Sequence, residues 1–368
     1  MSSVGERRHI LIVAPWSPHG VAGAERIIIT LANGLTSEYR VTVIAIAPGA
    51  VARPETLSEN VDFSTYNVPH ARASIGRLAS DLRAIQPDVI ISNVAHISTN
   101  VTLALWRARR RIPHVCVNHG MDAAHTMDRV HTIFSYLFCT EYVVVSAGLA
   151  SLVQRYLRWL RPRLTVIHNG LDIAHIQAQG KVPLQPEHIV WSSDRLTIVA
   201  VGRLVPQKSF AVLLRAVAEL VRAKKYPVNL LLVGDGELRT ELTQLTTELN
   251  ITEYVHWLGW QHNPYQYMAA ADVFVLSSYF EGFGNVLVEA LALGVPVVST
   301  DCPSGPSEIL AGGEYGQLVP VGDSAALALA IKETLAEKSD SERLKKRAED
   351  FSDDKMVGEY KLVIESLL

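Results

Sequence analysis

The amino-acid sequence predicts an α/β protein with two doubly wound parallel sheets, and three observations lead to that class. Short apolar runs such as Ile-Leu-Ile-Val at residues 10–13 recur along the chain, and near-continuous Val, Ile and Leu are typical of parallel strands buried on both faces. Each run is followed by a turn rich in Gly, Pro or Asn and then by a segment with helical spacing of its apolar residues. The chain has 368 residues, which exceeds the size at which one hydrophobic core usually stops growing, so two domains are expected.

Several segments in each half have the length and β-branched composition of strands. In the first half they are residues 9–14, 41–45, 89–92, 114–117, 142–146 and 164–168. In the second half they are residues 196–201, 229–233, 255–258, 273–277 and 295–300. Beyond Phe351, apolar residues recur at helical spacing as far as Leu367, which predicts a closing helix.

The boundary between the two domains is expected between residues 173 and 194. Gln177, Gly180, Pro183 and Pro186 interrupt both the strand and the helix periods in this stretch and have the composition of a linker. Ligands of doubly wound sheets bind outside the carboxyl ends of the strands. The two domains are therefore expected to face each other across a cleft that holds the ligand.

The composition excludes several classes of protein. Hydrophobic residues make up 48% of the chain and charged residues 19%, which excludes a disordered or collagen-like protein. Cys116, Cys139 and Cys302 lie far apart and include no Cys-x-x-Cys pair, which favours a reducing, cytoplasmic location over disulfides or structural zinc. No run reaches the roughly 18 consecutive apolar residues of a membrane-spanning helix. The short apolar run before Pro18 lacks the cleavage site of a signal peptide.

The two halves of the chain differ in charge. Residues 1–185 contain 18 Lys and Arg against 12 Asp and Glu, whereas the remainder contains 16 against 25. The basic first half indicates an anionic partner such as a phosphate or a membrane surface, while the net charge of -3 argues against nucleic acid. Residues 106–111 and 156–161 interleave aromatic side chains with arginines. This pattern is typical of peripheral contact with an anionic bilayer and equally of a solvated basic surface.

Two loops that follow predicted strands have the composition of anion sites. After the first strand, Gly20 and Gly23 precede a helical run, and glycines there let backbone amides approach an anion at a helix N-terminus. After the first strand of the second domain, Gly202 is followed by Arg203 and Lys208. A guanidinium and an ammonium group at this position suit a diphosphate. A tight turn and solvated surface charges are the alternative interpretations of these loops.

The loop at residues 279–285 is the most informative. It leads from a predicted strand into a helix predicted at 286–293, with Asn285 as the expected N-cap. The start of this helix is an expected anion site. Glu281 and Glu289 are separated by seven residues, so one carboxylate can face a sugar while the other accepts hydrogen bonds from ribose hydroxyls. The alternatives are a loop charge and a glutamate that favours the helix dipole.

Together these residues resemble the retaining nucleotide-sugar glycosyltransferases of family four, which have the GT-B fold of two Rossmann-like domains. The resemblance covers nearly the whole chain, and its specificity comes from the order and spacing of motifs that are individually common. The motifs are residues 20–25, 168–172, 202–208, 233–236, 258–259, the two glutamates and residues 294–300. One departure lies in the first loop, where many relatives have two adjacent glycines before Ala-Glu and this chain has Gly23 alone.

The resemblance implies a role for each domain and for the site residues. Domain 1–180 would be the acceptor side, with residues 351–368 packed back on it, and domain 190–350 would bind the donor. Glu289 would bind the ribose, and Glu281 the hydroxyls of the donor sugar. The residues that would line the rest of the donor site are Gly20, Gly23, Gly202, Arg203, Lys208, Gly234, Leu258, Gly282, Phe283, Gly284, Asn285, Val286 and Leu287.

Four residues would be catalytic by the same resemblance: His119, Arg203, Lys208 and Glu281. Arg203 and Lys208 would neutralise the leaving diphosphate, and His119 would lie near the transferred sugar. A structural loop histidine is the alternative for His119. No metal or other cofactor is expected, because the two cations and the helix N-terminus can supply the charge.

The implied reaction is transfer of a hexose, with retention at the anomeric carbon, from a UDP-sugar to a saccharide or lipid-linked saccharide. UDP-glucose is the preferred donor, since nothing in the sequence demands guanine or adenine. A nucleotide-sugar epimerase of the same fold and a non-catalytic nucleotide-sugar-binding protein are the alternatives, and the latter would bind without turnover. A glycoside hydrolase would explain paired carboxylates but not the diphosphate cations. The protein is expected in the cytoplasm. Peripheral contact with the inner face of the cell membrane is a further expectation.

Overall fold

The computed structural model describes residues 7–16, 23–120, 126–157, 164–184, 192, 194–222 and 227–368. The chain divides into two compact units. Unit 1 comprises Met1–Leu171 together with Asp353–Leu368, and unit 2 comprises Asp172–Ser352. Each unit contains a parallel sheet with helices, so the predicted class of two doubly wound α/β domains is confirmed.

The strands of unit 1 are β1 (His9–Pro15), β2 (Arg40–Ala47), β3 (Val61–Asn67), β4 (Val89–Asn93), β5 (His114–Asn118), β6 (Glu141–Val144) and β7 (Leu164–Val166). They form a seven-stranded parallel sheet in the order β3-β2-β1-β4-β5-β6-β7. The order reverses between β1 and β4, which makes the carboxyl ends of these strands the switch point of the sheet. Ile10, Leu11, Ile12 and Val13 of β1 are fully buried because helices cover both faces of the strand.

The strands of unit 2 are β8 (Leu196–Val201), β9 (Val228–Val233), β10 (Val255–Gly259), β11 (Val273–Leu276), β12 (Val297–Thr300) and β13 (Gln317–Val319). They form a six-stranded parallel sheet in the order β10-β9-β8-β11-β12-β13. The order reverses between β8 and β11. The switch point of this sheet therefore lies where these two strands end.

The helices follow the strands in chain order. Those of unit 1 are α1 (Gly23–Leu35), α2 (Ile75–Ile85), α3 (Ala95–Ala108), α4 (Thr126–Phe138) and α5 (Ala147–Leu157). Those of unit 2 are α6 (Ile173–Gly180), α7 (Phe210–Arg222), α8 (Arg239–Glu248), α9 (Tyr265–Ala269), α10 (Asn285–Ala292), α11 (Pro306–Ile309), α12 (Ser324–Ala336) and α13 (Ser341–Ala348). The last helix, α14 (Asp353–Glu365), returns to unit 1. No helix of the described segments is long and apolar enough to cross a lipid bilayer.

The closing helix α14 is part of the core of unit 1. Met356, Tyr360 and Ile364 are buried in the same apolar cluster as β1 and α1. A Cβ at Gly34 of α1 would lie 2.5 Å from the side chain of Val357, so the glycine lets the two helices approach closely. The apolar spacing of the final segment thus corresponds to a helix face that unit 1 buries.

The structure differs from the sequence prediction in strands β3 and β13 and at the unit boundary. Both strands lie at the edge of a sheet and are only partly buried, so neither has the continuous apolar run by which the others were found. The chain enters unit 2 after Leu171. Helix α6 therefore belongs to unit 2 instead of ending the first domain at residue 180. The reason is packing, because α6 contacts α9 and α10, and Asn263 donates a hydrogen bond to the carbonyl oxygen of Gln179 at 3.0 Å.

Candidate functional site

The carboxyl ends of β8 and β11 bring two of the predicted site loops together in unit 2. The two strands are neighbours in the sheet although β9 and β10 separate them along the chain. β8 continues into Gly202 and a 3₁₀ turn at Pro206–Lys208. β11 continues into the loop that contains Glu281. The switch point therefore holds the residues for which the sequence predicts contact with diphosphate and sugar.

Lys208 and Glu281 form an ion pair at this edge. Nζ of Lys208 lies 2.7 Å from Oε1 of Glu281, and the two side chains are only 17% and 8% exposed. Ser278 Oγ donates a second hydrogen bond to Oε1, at 2.6 Å. Both hydrogen bonds that the described residues make to this carboxylate reach Oε1, so Oε2 is without a partner among them. The pair thus offers one carboxylate oxygen and an ammonium group to a ligand.

Hydroxyl side chains hold the loop around Glu281 in place. Ser304 Oγ donates to the carbonyl oxygen of Glu281. Thr300 Oγ1 donates to the carbonyl oxygen of Ser278 at 2.6 Å, and Ser277 Oγ donates to that of Lys208 at 2.9 Å. These hydrogen bonds tie the ends of β11 and β12 to the loop, which gives the carboxylate a defined position.

Glycines allow the loops after β8 and β9 to lie against each other. Gly234 has a φ of +132°, and a Cβ there would lie 2.0 Å from the carbonyl oxygen of Gly202. A Cβ at Gly236 would lie 2.6 Å from the carbonyl oxygen of Leu204. The amide of Leu204 donates to the carbonyl oxygen of Asp235 at 3.0 Å and joins the loops. Packing therefore explains Gly234 and Gly236. Contact of Gly202 and Gly234 with a donor stays a prediction.

Helix α10 begins one residue earlier than the sequence predicts. Gly284 is its N-cap, with a φ of +100°, and Asn285 is its first helical residue. The expected capping role of Asn285 is therefore wrong, because a left-handed glycine with no side chain occupies the cap position. The predicted donor-binding residues around this start are Gly282 and Phe283 before the cap and Val286 and Leu287 in the first turn. They surround the helix N-terminus, where the dipole favours an anion.

Glu289 lies in the middle of α10 and is partly exposed. Its Oε1 is 3.5 Å from the hydroxyl of Tyr265, the first residue of α9. Tyr265 itself is buried, so its hydroxyl has a defined direction toward the glutamate. The two glutamates that the sequence paired thus have different surroundings, since Glu281 faces an ammonium group and Glu289 a phenol.

Arg203 is exposed directly after β8 and makes no side-chain hydrogen bond or ion pair with any residue in the described ranges. Its guanidinium group is therefore available to a ligand. Leu258 is partly buried near the end of β10, and the carbonyl oxygen of the next residue, Gly259, accepts from the amide of Gly234 at 2.7 Å. No group of three His, Cys, Asp or Glu with metal-binding geometry occurs within the described segments.

His119 lies in unit 1, directly after β5. Its Nε2 is 2.9 Å from Oδ1 of Asn93, the last residue of the neighbouring strand β4. Burial lowers the pKa of His119 to about 4, although a hydrogen bond with Asn169 opposes the shift. The imidazole is therefore neutral near pH 7 and suits hydrogen bonding to a hydroxyl. Nδ2 of Asn93 is buried without a partner among the described residues, so a second polar group lies beside the imidazole.

Two predictions fall on residues outside the described ranges. Gly20 lies in the segment 17–22, and residues 158–161 of the second aromatic and basic stretch lie in the segment 158–163. Gly23 is the first residue of α1. Of the predicted anion loop after β1, the structure therefore describes only the start of helix α1.

Sequence reasoning missed Ser278, Ser304, Tyr265 and Asn93. Ser278 and Asn93 each lie at the carboxyl end of a predicted strand, which is the signal that could have indicated them. Ser304 and Tyr265 come into the site only through contacts across the fold, with Glu281 and Glu289. No local pattern in the sequence indicates these two residues.

Two family models match the chain. The model described as Glycosyl transferases group 1 matches residues 183–351. The model described as Glycosyltransferase Family 4 matches residues 21–175. The two matches together cover most of both units.

Individual proteins of known name are similar over almost the full length. The lipopolysaccharide core biosynthesis glycosyltransferase LpsE of Rhizobium meliloti is 30% identical over 342 residues, which cover 92% of each chain. A Campylobacter jejuni N-acetyl-D-galactosaminyltransferase, named for a saccharide on PP-undecaprenol, is 26% identical over 89% of this chain and 91% of the relative. The crystal structure of Anabaena HepE with UDP-glucose superposes with a TM-score of 0.75 at 22% identity, over 97% of this chain and 99% of the other. The last comparison shows a common fold.

Proposed function

The chain belongs to glycosyltransferase family 4 and is a glycosyltransferase, and from that premise we propose that it transfers a hexose from a UDP-sugar to a saccharide or lipid-linked saccharide with retention at the anomeric carbon. UDP-glucose is the proposed donor. The observation that carries the proposal is the Lys208–Glu281 pair at the switch point of unit 2. Arg203 lies in the same loop after β8 as Lys208, and its side chain has no partner among the described residues.

The cations of this edge suit a diphosphate leaving group. As the bond between the anomeric carbon and the phosphate oxygen breaks, the sugar becomes oxocarbenium-like and negative charge grows on the diphosphate. We assign stabilisation of that charge to Arg203, Lys208 and the N-terminus of α10. Because these groups supply positive charge, the proposed reaction proceeds without a metal ion.

Retention is proposed to follow from attack on the face from which the diphosphate leaves. The acceptor oxygen forms the new bond to the anomeric carbon, the bond to the phosphate oxygen breaks, and the acceptor proton passes to a phosphate oxygen of the leaving group. The structure supports this route over a covalent one because Glu281 is already paired with Lys208 and accepts from Ser278, which lowers its reactivity as a nucleophile.

The remaining predicted residues orient the donor. In this proposal Oε2 of Glu281 accepts hydrogen bonds from hydroxyls of the sugar, and Glu289 accepts from the ribose while Tyr265 holds its carboxylate. His119 hydrogen-bonds the transferred sugar as a neutral imidazole, which its lowered pKa supports. Positioning of this kind contributes by holding the reacting atoms together.

The names of the relatives support the choice of donor and acceptor class. HepE was crystallised with UDP-glucose, LpsE is named for lipopolysaccharide core biosynthesis, and the Campylobacter jejuni enzyme is named for a PP-undecaprenol saccharide. We therefore place this enzyme in the synthesis of a cell-surface saccharide or glycoconjugate.

The test is release of nucleoside diphosphate from UDP-, GDP- and ADP-sugars, first in chelator and then with added divalent cation. We expect release from UDP-glucose in chelator and its loss in Arg203→Ala and Glu289→Ala. Arg215→Ala and Glu333→Ala, which replace exposed residues elsewhere in unit 2, are matched controls and should retain activity. Release only from another donor, or only with metal, would contradict the assignment of donor or of metal independence. The anomeric configuration of the product, read by NMR, decides between retention and inversion.

A further inference from the structure

Helix α4 of unit 1 exposes most of its large apolar side chains, although it buries Tyr136. Its small and polar residues Thr132 and Ser135 are buried, while Met127, Val130 and Leu137 are between 46% and 52% exposed. A helix on the surface of a globular protein normally buries its large apolar side chains and exposes its polar ones. The outer face of α4 is therefore built to contact something other than water.

The exposed apolar residues form one continuous stripe. At 3.6 residues per turn, the six apolar side chains of this face fall within an arc of about 140°. They are Met127, Val130, Ile133, Phe134, Leu137 and Phe138, and with Trp106 of α3 we call them the α4 patch. Trp106 contacts Phe134 and Phe138 edge to face, with ring centroids 5.6 and 5.0 Å apart. Of the 14 large apolar side chains exposed on the described residues, six belong to this patch, which marks it as an interaction surface.

An arginine cluster borders the α4 patch. Arg107, Arg109, Arg110 and Arg111 directly follow Trp106, and all four are exposed. None of them forms an ion pair with another residue of the described ranges. Within the described residues from 95 to 140, Asp128 is the only acidic side chain. The partner of this surface must therefore be apolar beside α4 and anionic beside the end of α3.

We propose that the α4 patch and its arginine cluster dock unit 1 onto an anionic lipid bilayer. A helix that lies in the plane of the membrane places its apolar face at the boundary between headgroups and acyl chains. Tryptophan is favoured at this depth, and arginines beside it pair with anionic headgroups. The α4 patch supplies the apolar helix face and the tryptophan, and the adjacent arginine cluster supplies the cations. This proposal is independent of the proposed sugar transfer, because docking needs neither donor nor acceptor.

A second copy of the chain fits this surface less well. Two copies that met through the α4 patch in a symmetric dimer would each bring four arginines to the interface, against one Asp128 apiece. Like charges at an interface oppose association. An anionic bilayer supplies the opposite charge that the cluster lacks.

The test is flotation of the full-length protein with vesicles of phosphatidylcholine alone and of phosphatidylcholine with phosphatidylglycerol. We expect the protein to float with the anionic vesicles and to stay behind with the neutral ones. Leu137→Asp should lower the bound fraction about tenfold, since a charge replaces an inserted apolar side chain. Leu329→Asp is the matched control, because Leu329 is 54% exposed on α12 of unit 2, and it should float like the parent.

A second pair of variants separates charge from apolar contact. Arg109→Glu/Arg110→Glu should abolish the preference for anionic vesicles, whereas Lys338→Glu/Lys346→Glu in unit 2 should not. Unchanged thermal unfolding and unchanged UDP binding would show that each variant is folded. Absence of flotation by the parent, or equal loss in the patch and control variants, overturns the proposal. The proposal is also overturned if the parent does not bind vesicles but sediments as a dimer, and Leu137→Asp converts that dimer to a monomer. The α4 patch would then bind a second copy.

Discussion

Lys208 and Glu281 lie 73 positions apart along the chain, and Nζ of the lysine is 2.7 Å from Oε1 of the glutamate. The contact exists because β8 and β11 are adjacent in the sheet, so the loops that follow them end at the same edge. It joins a residue that we assign to the diphosphate with one that we assign to the sugar. Removing either partner leaves the other charge in a poorly exposed position.

We predict that Lys208→Met lowers both stability and activity, for separable reasons. Loss of the ammonium group leaves the carboxylate of Glu281 uncompensated, which should destabilise unit 2 by about 3 kcal/mol. Loss of the positive charge at the diphosphate should lower turnover by about 100-fold or more. Urea unfolding and nucleoside diphosphate release measure the two effects.

The double variant Lys208→Met/Glu281→Leu is the control for this prediction. It removes both charges, so we expect stability to recover most of the loss while activity stays low. A double variant as unstable as the single one would show that the ion pair does not account for the destabilisation.

We predict that Gly234→Ala destabilises unit 2 by about 3 kcal/mol, because the new Cβ would meet the carbonyl oxygen of Gly202 at 2.0 Å and the φ of +132° disfavours alanine. Gly76→Ala is the matched control. Gly76 lies in helix α2, and a Cβ there would have no atom within 4 Å, so this variant should gain about 0.5 to 1 kcal/mol. Equal stabilities of the two variants, by thermal unfolding, would contradict the packing role of Gly234.

We predict that His119 makes the stability of the protein depend on acid pH. Its pKa is about 4 in the folded protein and near 6.5 in the unfolded chain, so the unfolded chain binds more protons between these values. Stability should therefore fall as the pH drops from 6.5 toward 4, by about 3 kcal/mol from this group. Urea unfolding across that pH range should show a smaller loss of stability in His119→Gln than in the parent. The control variant His262→Gln replaces an exposed histidine and should keep the parent slope.

We predict that Tyr265→Phe weakens donor binding without changing the chemical step. The phenol hydroxyl lies 3.5 Å from Oε1 of Glu289, so its loss removes one contact of the carboxylate and should raise KM for the donor about threefold. The value of kcat should stay within about twofold, because the hydroxyl does not contact the assigned diphosphate cations. Tyr254→Phe serves as the control, because Tyr254 lies directly before the edge strand β10. A fall in kcat with unchanged KM would place Tyr265 in the transition state instead.

The sequence was sufficient for the strands whose side chains are buried on both faces. Val, Ile and Leu make up most of β1, β8 and β9, and burial on two faces favours such runs. The same reasoning could not find β3, because this edge strand is half exposed and carries Asp62 and Ser64. It also placed the unit boundary too late, since the attachment of α6 to unit 2 depends on contacts with helices about a hundred residues further along the chain.

Part of the candidate site could also be predicted from the sequence. Arg203, Lys208, Glu281 and Glu289 stand at strand ends or in the loop and helix that follow, and their residue types indicate diphosphate and sugar chemistry. The cap of α10 was misplaced by one residue, because the left-handed conformation of Gly284 is set by the loop that it closes.

The amino-acid sequence by itself determined the α/β class, the two parallel sheets and the chemical character of the loops at their carboxyl ends, because these follow from periodicity and residue type over short stretches. Only the tertiary structure decided that Lys208 neutralises Glu281, that Tyr265 faces Glu289, and that α4 exposes most of its large apolar side chains. Strand order and helix packing decide such contacts, since they bring together residues that are distant in the chain and whose local patterns contain no information about one another.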